Sequence, residues 1–191
     1  MTKIKFDSPM FYAGFPVFIA LTKLSKTGEI LATTYSSSYM LNDRLVMGIG
    51  ADGQTASELT EGTKLSINYL SENDGLLSDI AGLVSRRTKL SNLTEQGAIL
   101  TEIDDVPILE NGLLSIIGKI DKILEIDGVK HLFVKITERY ISDSLVKNDN
   151  IDWGNFDSLE YFGAGKERIY KSVKSDITAK GGFLKASRKR K

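Results

Sequence analysis

The chain has 191 residues, enough for one substantial domain or two very small ones, and its 41% hydrophobic and 26% charged composition is ordinary for a soluble globular protein. Its formal net charge is zero, so no global field draws it to nucleic acid or to a membrane surface. It has no cysteine and a single histidine, His131, which excludes disulfides, thiolate nucleophiles, iron–sulfur clusters, cysteine zinc sites and two-histidine mechanisms.

Residues 1–14 read as an irregular lead-in. Phe15 to Leu24, rich in β-branched and aromatic side chains, predicts a strand. Ser25 to Gly28 predicts a turn and Glu29 to Ser36 the returning strand, with a third strand over Leu45 to Gly50. Thr55 to Glu61 is a short helix at most, stopped by Gly62. Lys64 to Leu70 alternates and predicts a fourth strand, whereas Leu76, Leu77, Ile80, Ala81 and Val84 recur at helical spacing and predict an amphipathic helix over 75–84. A basic run, Ser85 to Lys89, leads into a polar connection that Pro107 is expected to end. Leu113 to Glu125 and Val129 to Leu145 are long β-type runs joined at Ile126-Asp127-Gly128, and Asp-Gly between alternating apolar residues is a strong hairpin signal. Short late strands follow at Leu159 to Phe162 and Arg168 to Tyr170. The pattern is mainly β (α+β), an antiparallel barrel or sandwich rather than alternating βαβ units. One folded domain is expected over residues 1–175, with a basic flexible tail over 176–191.

The most informative stretch is Leu31 to Tyr39. Every residue from Thr33 to Tyr39 carries a hydroxyl (Thr33, Thr34, Tyr35, Ser36, Ser37, Ser38, Tyr39), and the stretch runs straight out of an apolar strand. Hydroxyls at that density are poor core material; they either make local turn bonds at a strand end or hold something polar and partly anionic. Beside it, Gly48-Ile49-Gly50-Ala51-Asp52-Gly53 matches G-x-G-x-x-G after a strand and before a helical signal, with Glu72 about 20 residues on, which imitates a dinucleotide fingerprint. The helix after Gly53 is too short for a parallel crossover, and the long hairpin downstream is not a βα unit, so a Rossmann-type dinucleotide binder is only the second alternative. Gly163-Ala164-Gly165-Lys166 fails as a phosphate loop because Glu160 and Glu167 stand where glycine and Ser or Thr are needed. The acids Glu102, Asp104 and Asp105 sit in the polar connection and read as a solvated loop. Ser36 to Ser38 lack the G-x-S-x-G elbow of a serine hydrolase. Ser85-Arg86-Arg87-Thr88-Lys89 is either a solvated face or a phosphate clamp.

Strung together, Phe15 to Thr22, Leu31 to Asn42, Gln54-Thr55-Ala56, Ser66-Ile67-Asn68-Tyr69-Leu70, Asp127-Gly128-Val129-Lys130-His131-Leu132-Phe133 and Leu159-Glu160-Tyr161-Phe162-Gly163 resemble, in order and spacing, the landmarks of the flavin reductase-like (flavoredoxin) family. The last two resemble that family's G-D-H-x-I/L-F hairpin and its P-L-x-Y-x-G strand. Leu31 stands where the family often has Asn, and Arg44-Leu45 near its Pro-Pro.

The resemblance implies an FMN-binding split barrel that dimerises, with FMN near the subunit interface. It implies an NAD(P)H-dependent flavin reductase, which moves hydride from NADH or NADPH to FMN and electrons on to a flavin or other acceptor. The first alternative is a flavoredoxin-like FMN electron carrier without NAD(P)H activity. The expected flavin-contacting residues are Thr33, Thr34, Tyr35, Ser36, Ser37 and Ser38. Gln54 and Thr55 would hold the phosphate end at a helix start, with Arg87 and Lys89 closing on it. No side chain is expected to act as catalytic acid or base; His131 is either a nicotinamide seat or a hydrogen-bonded sheet histidine. A homodimer with flavin, nicotinamide nucleotide and an electron-acceptor protein as partners is expected, with no nucleic acid, membrane or metal. No apolar run approaches the roughly 18 residues of a membrane span and no signal pattern opens the chain, so a cytoplasmic location is expected.

Overall fold

In the computed structural model, which describes residues 2–8 and 10–173, the alternating apolar runs become a seven-stranded antiparallel sheet. Its members are β2 (Phe18–Lys23), β3 (Ile30–Tyr35), β4 (Ser38–Leu41), β5 (Arg44–Gly50), β6 (Lys64–Tyr69), β9 (Leu114–Ile126) and β10 (Val129–Ile141). They lie in the order β3-β2-β6-β9-β10-β5-β4. A second antiparallel sheet holds β1 (Phe11–Pro16), β13 (Leu159–Ala164) and β14 (Ile169–Ser172), in the order β1-β13-β14. Two small hairpins, β7 (Leu100–Ile103) with β8 (Val106–Leu109) and β11 (Val146–Lys147) with β12 (Asn150–Ile151), complete the strands. The α-helices are α1 (Gln54–Glu58), α2 (Gly75–Leu83) and α3 (Arg86–Glu95). The expected tail, 176–191, lies outside the described residues.

The strand order forces the large sheet to curl. β3 and β4 are its two edges, yet only Ser36 and Ser37 separate them in the chain. Seven flat strands would hold the edges roughly 29 Å apart, whereas the step from Tyr35 to Ser38 reaches at most about 11 Å. The sheet therefore wraps into a barrel split at the β3–β4 seam, where the Gly48 amide donates to the Ser37 carbonyl at 3.0 Å.

Period-2 alternation sorts the side chains into two cores. Phe18, Met47, Ile67, Ile116, Leu132 and Val134 fill the barrel. Val17, Ile19 and Leu21, one residue out of phase on the same segment, face the other way and meet Leu77, Ile80 and Ala81 of α2 and Leu93 of α3. Between the layers stands Asn68, fully buried. Its amide donates to the Ile19 carbonyl at 2.9 Å and to Ser66 Oγ at 2.8 Å; its oxygen accepts from the Leu109 amide at 3.0 Å and from Ser115 Oγ at 2.8 Å.

The hairpin at Asp127-Gly128 is present, with φ of 49° and 76° at its two central residues, the left-handed pair that a two-residue turn of this kind requires. Several expectations are corrected. Phe11 to Gly14, expected to be irregular, belong to a strand because β13 pairs with it. The polar connection after 85 contains α3 and the β7–β8 hairpin, and Pro107 lies within β8 rather than ending the segment. The pairings within the sheets are antiparallel and α1 has five residues, so the Rossmann alternative is overturned: among the described residues there is no parallel crossover for it to use.

Candidate functional site

On β3 the pleat divides the hydroxyls. Thr33 points to α1, where its Oγ1 lies 2.7 Å from Thr55 Oγ1; Thr34 points to α2, donating its hydroxyl to the Ser78 carbonyl at 2.6 Å. Tyr35 shares the Thr33 face and its ring lies 6.2 Å from that of Phe18. Burial raises the Tyr35 phenol to about 12, against the opposing effect of a Thr33 hydrogen bond, so the ring stays neutral.

The Thr33–Thr55 contact joins the two stretches that the sequence sets apart. Both residues line a cavity of about 370 Å³ with Tyr35, Gly50, Gln54 and Lys89. Lys89 is half-buried and reaches back to donate to the Ala32 carbonyl at 3.0 Å; desolvation lowers its pKa below the ordinary 10.5. It pairs with no carboxylate among the described residues. Arg86, one turn earlier on the same helix face, also lines the cavity but is engaged, with Nε and Nη2 on the Glu29 carboxylate at 2.6 and 2.5 Å and Nη1 on Glu58 at 3.2 Å. These partners, Glu29 first, raise its pKa. Arg87 is exposed and lines none of the cavities described, because one residue along a helix turns a side chain by about 100°. Asp52 places one carboxylate on the rim.

Gly50 also borders a second recess of about 500 Å³, lined by Ser37, Ser38, Gly48 and His131. His131 sits on β10 opposite Gly48 of β5, its ring on the outer face because Leu132 and Val134 take the barrel side. None of Gly48, Gly50 and Gly53 has a positive φ, so the local backbone does not demand glycine there. What the missing side chains leave is open backbone along the path between the two recesses. Lys130, next to His131, donates to the Ala56 carbonyl at 2.8 Å and ties α1 to β10.

Thr34 and Ser36 open instead onto a third cavity, about 490 Å³, between β3, α2 and the β13–β14 turn. The expected set thus divides: Thr33, Tyr35, Gln54, Thr55 and Lys89 meet in one groove, Ser37, Ser38 and His131 in its continuation, and Thr34 and Ser36 behind the strand. Alternation along β3 was the signal for that division. Arg86 entered only as part of the basic run from Ser85, Asp52 only as part of the glycine pattern and Ser78 not at all, because nothing in their sequence neighbourhood places them beside β3. Leu31, 3% exposed, lines the first groove with a wholly apolar side chain.

No family model matches the chain, and no curated protein sequence matches it. Solved structures do. The flavoredoxin from Methanosarcina acetivorans is 17% identical over 98% of this chain and 100% of its own, with a TM-score of 0.80. The flavoredoxin of Desulfovibrio vulgaris (Miyazaki F) is 17% identical over 96% and 100%, with a TM-score of 0.81. The flavin reductase HpaC, solved with NADP+, is 15% identical over 85% and 92%, with a TM-score of 0.63. At these identities the likeness shows the fold: the chain has the split-barrel architecture of flavoredoxins and flavin reductases.

Proposed function

We propose that this protein is an FMN-binding oxidoreductase, a flavin reductase that takes hydride from NADH or NADPH and delivers electrons to a flavin or other acceptor. The observation that carries the reading is the groove itself. The Thr33–Thr55 hydroxyl pair stands beside a half-buried Lys89 with no carboxylate partner among the described residues, and the groove continues past side-chain-free Gly50 to Ser37, Ser38 and His131. Thr33, Thr55 and Lys89 suit a phosphate, since hydroxyls and an ammonium offer charge-assisted bonds to its oxygens. The five-residue α1 is too short for its dipole to contribute much. Ser37 and Ser38 offer hydrogen bonds to the polar edge of a flat ring system, Tyr35 covers apolar surface, and His131 is positioned to seat a nicotinamide.

FMN, held by Thr33, Thr55 and Lys89 at its phosphate and by Ser37 and Ser38 at its ring, would supply the hydride and electron chemistry. The protein's part is to hold, orient and partly desolvate, and no acid or base is required of it. The exposed edge strand β4, with Tyr39 62% and Leu41 68% exposed beside the His131 recess, is the surface a second copy of the chain would cover. A cytoplasmic homodimer with an electron-acceptor protein is part of this reading.

The test is an absorbance spectrum. Purified protein given FMN and desalted should stay yellow and bleach on NADH or NADPH without oxygen. Protein that emerges colourless ends the reading. A second reading, an FMN electron carrier, is favoured by the full-length likeness to two flavoredoxins. It is selected if bound FMN resists both nicotinamides but bleaches with dithionite.

A further inference from the structure

The Gly163-Ala164-Gly165-Lys166 segment, which fails as a phosphate loop, has a different use. It ends β13 and begins the turn to β14, with Gly165 at a φ of 61° and its amide donating to the Met10 carbonyl at 3.0 Å. This turn sets Lys166 and Arg168 at the mouth of the cavity behind β3. We propose that this cavity binds a small aromatic anion, an aryl carboxylate, at a site separate from the flavin groove.

Its volume, about 490 Å³, falls within the range of about 300–1,000 Å³ typical of small-molecule sites. One wall is aromatic: the Tyr161 ring lies 5.0 Å from Tyr12 and 5.8 Å from Tyr170, both pairs inclined rather than stacked. Such a wall favours an aryl guest over an alkyl one. The mouth carries positive charge, since neither Lys166 nor Arg168 has an ion pair or hydrogen bond among the described residues. Among the lining residues one carboxylate opposes them, that of Asp79, which already accepts from the Tyr170 hydroxyl at 3.3 Å; Glu167, between the two cations in the chain, does not line the cavity.

The independent sign of a ligand is at the floor. Ser78 is 1% exposed and lines this cavity, and its Oγ is a buried side-chain polar atom with no hydrogen-bond partner among the described residues. The candidate partner is the Tyr170 phenol, whose pKa a Ser78 hydrogen bond lowers against the larger effect of burial, but the Tyr170 hydroxyl donates to Asp79. Buried hydroxyls are nearly always satisfied, and a χ1 rotation of Ser78 toward the cavity would let a carboxylate or ring substituent entering past Lys166 satisfy this one. Tyr35 borders both this cavity and the flavin groove, so the guest would sit one strand away from the flavin.

Benzoate titrated calorimetrically into the full-length, FMN-free protein is the test. Expected is one saturable site that binds benzyl alcohol at least tenfold more weakly. The K166Q/R168Q double variant, at two exposed positions, should lose at least tenfold in benzoate affinity while taking up FMN as before; Ser78→Ala should lose severalfold. Absence of saturable benzoate binding, an unaffected double variant, or competitive displacement of benzoate by FMN would overturn the proposal. Benzoate bound by a protein that refuses FMN would leave it standing and sink the flavin reading alone.

Discussion

Lys89 and Arg87 sit two residues apart and part company on the helix. Lys89 turns into the groove, half-buried, and donates to Ala32; Arg87 stands in solvent. Lys89→Gln should therefore weaken FMN binding by about tenfold or more, the scale of one charge-assisted hydrogen bond, whereas Arg87→Gln should change it less than about twofold. Fluorescence quenching of FMN reads both. The apo protein should respond differently. Burial lowers the Lys89 pKa below 10.5, so over the interval between the folded value and 10.5 the unfolded chain holds the proton that the folded chain has released. The contribution of this group to stability therefore rises with pH through that interval, and below it the cost of burying the charge is fully present. Apo Lys89→Gln should melt no lower than wild type at pH 7, and its melting temperature should lack that rise on the alkaline side. The basic run from Ser85 left a solvated face and a phosphate clamp both open; only the 3.6-residue period, counted from where α3 starts, separates the residue that faces the groove from the one that does not.

Elements with strong local signatures were legible in the sequence. The Asp127-Gly128 hairpin and α2 match their patterns because turn chemistry and apolar periodicity are properties of a few neighbouring residues. α3 was not legible: among RRTKLSNLTE only Leu93 is buried, so the apolar stripe that marks a helix is nearly absent. β1 and β4 were missed because each is defined by its partner strand rather than by its own composition. The β13–β14 turn is the tightest local test of this architecture. A Cβ at Gly163 would overlap the Glu167 carbonyl oxygen, a backbone atom that cannot step aside. Gly163→Ala should destabilise by about 2 kcal/mol, the usual cost of overpacking. Urea denaturation measures it, and an unchanged midpoint would mean the turn is looser than described. Gly128→Ala should cost about 1 kcal/mol, because the left-handed φ of 76° is strained for alanine.

Across the whole molecule, Asn68 is where the layers are tied, joining β2, β6, β8 and β9 through one buried amide. Asn68→Ala would leave the Leu109 amide and the Ile19 carbonyl short of a side-chain partner. At about 1–3 kcal/mol for each group left unsatisfied, a total loss of about 3 kcal/mol is expected by denaturant titration, with FMN affinity falling only as far as the fold loosens. The proposed pairing of two copies through β4 predicts that Leu41→Glu shifts the protein to a monomer by analytical ultracentrifugation; a wild type that is already monomeric would refute it. The sequence by itself determined the mainly antiparallel character of the chain, its central hairpin and the hydroxyl run from Thr33 to Tyr39, because alternation, turn residues and composition are short-range quantities. Only the tertiary structure decided that this run divides between two sides of one strand, that Thr33 meets Thr55, and that Ser78 is buried beside the β13–β14 turn. Those outcomes depend on curling seven strands until the edges β3 and β4 lie a two-residue step apart, a closure set by contacts between residues distant in the chain.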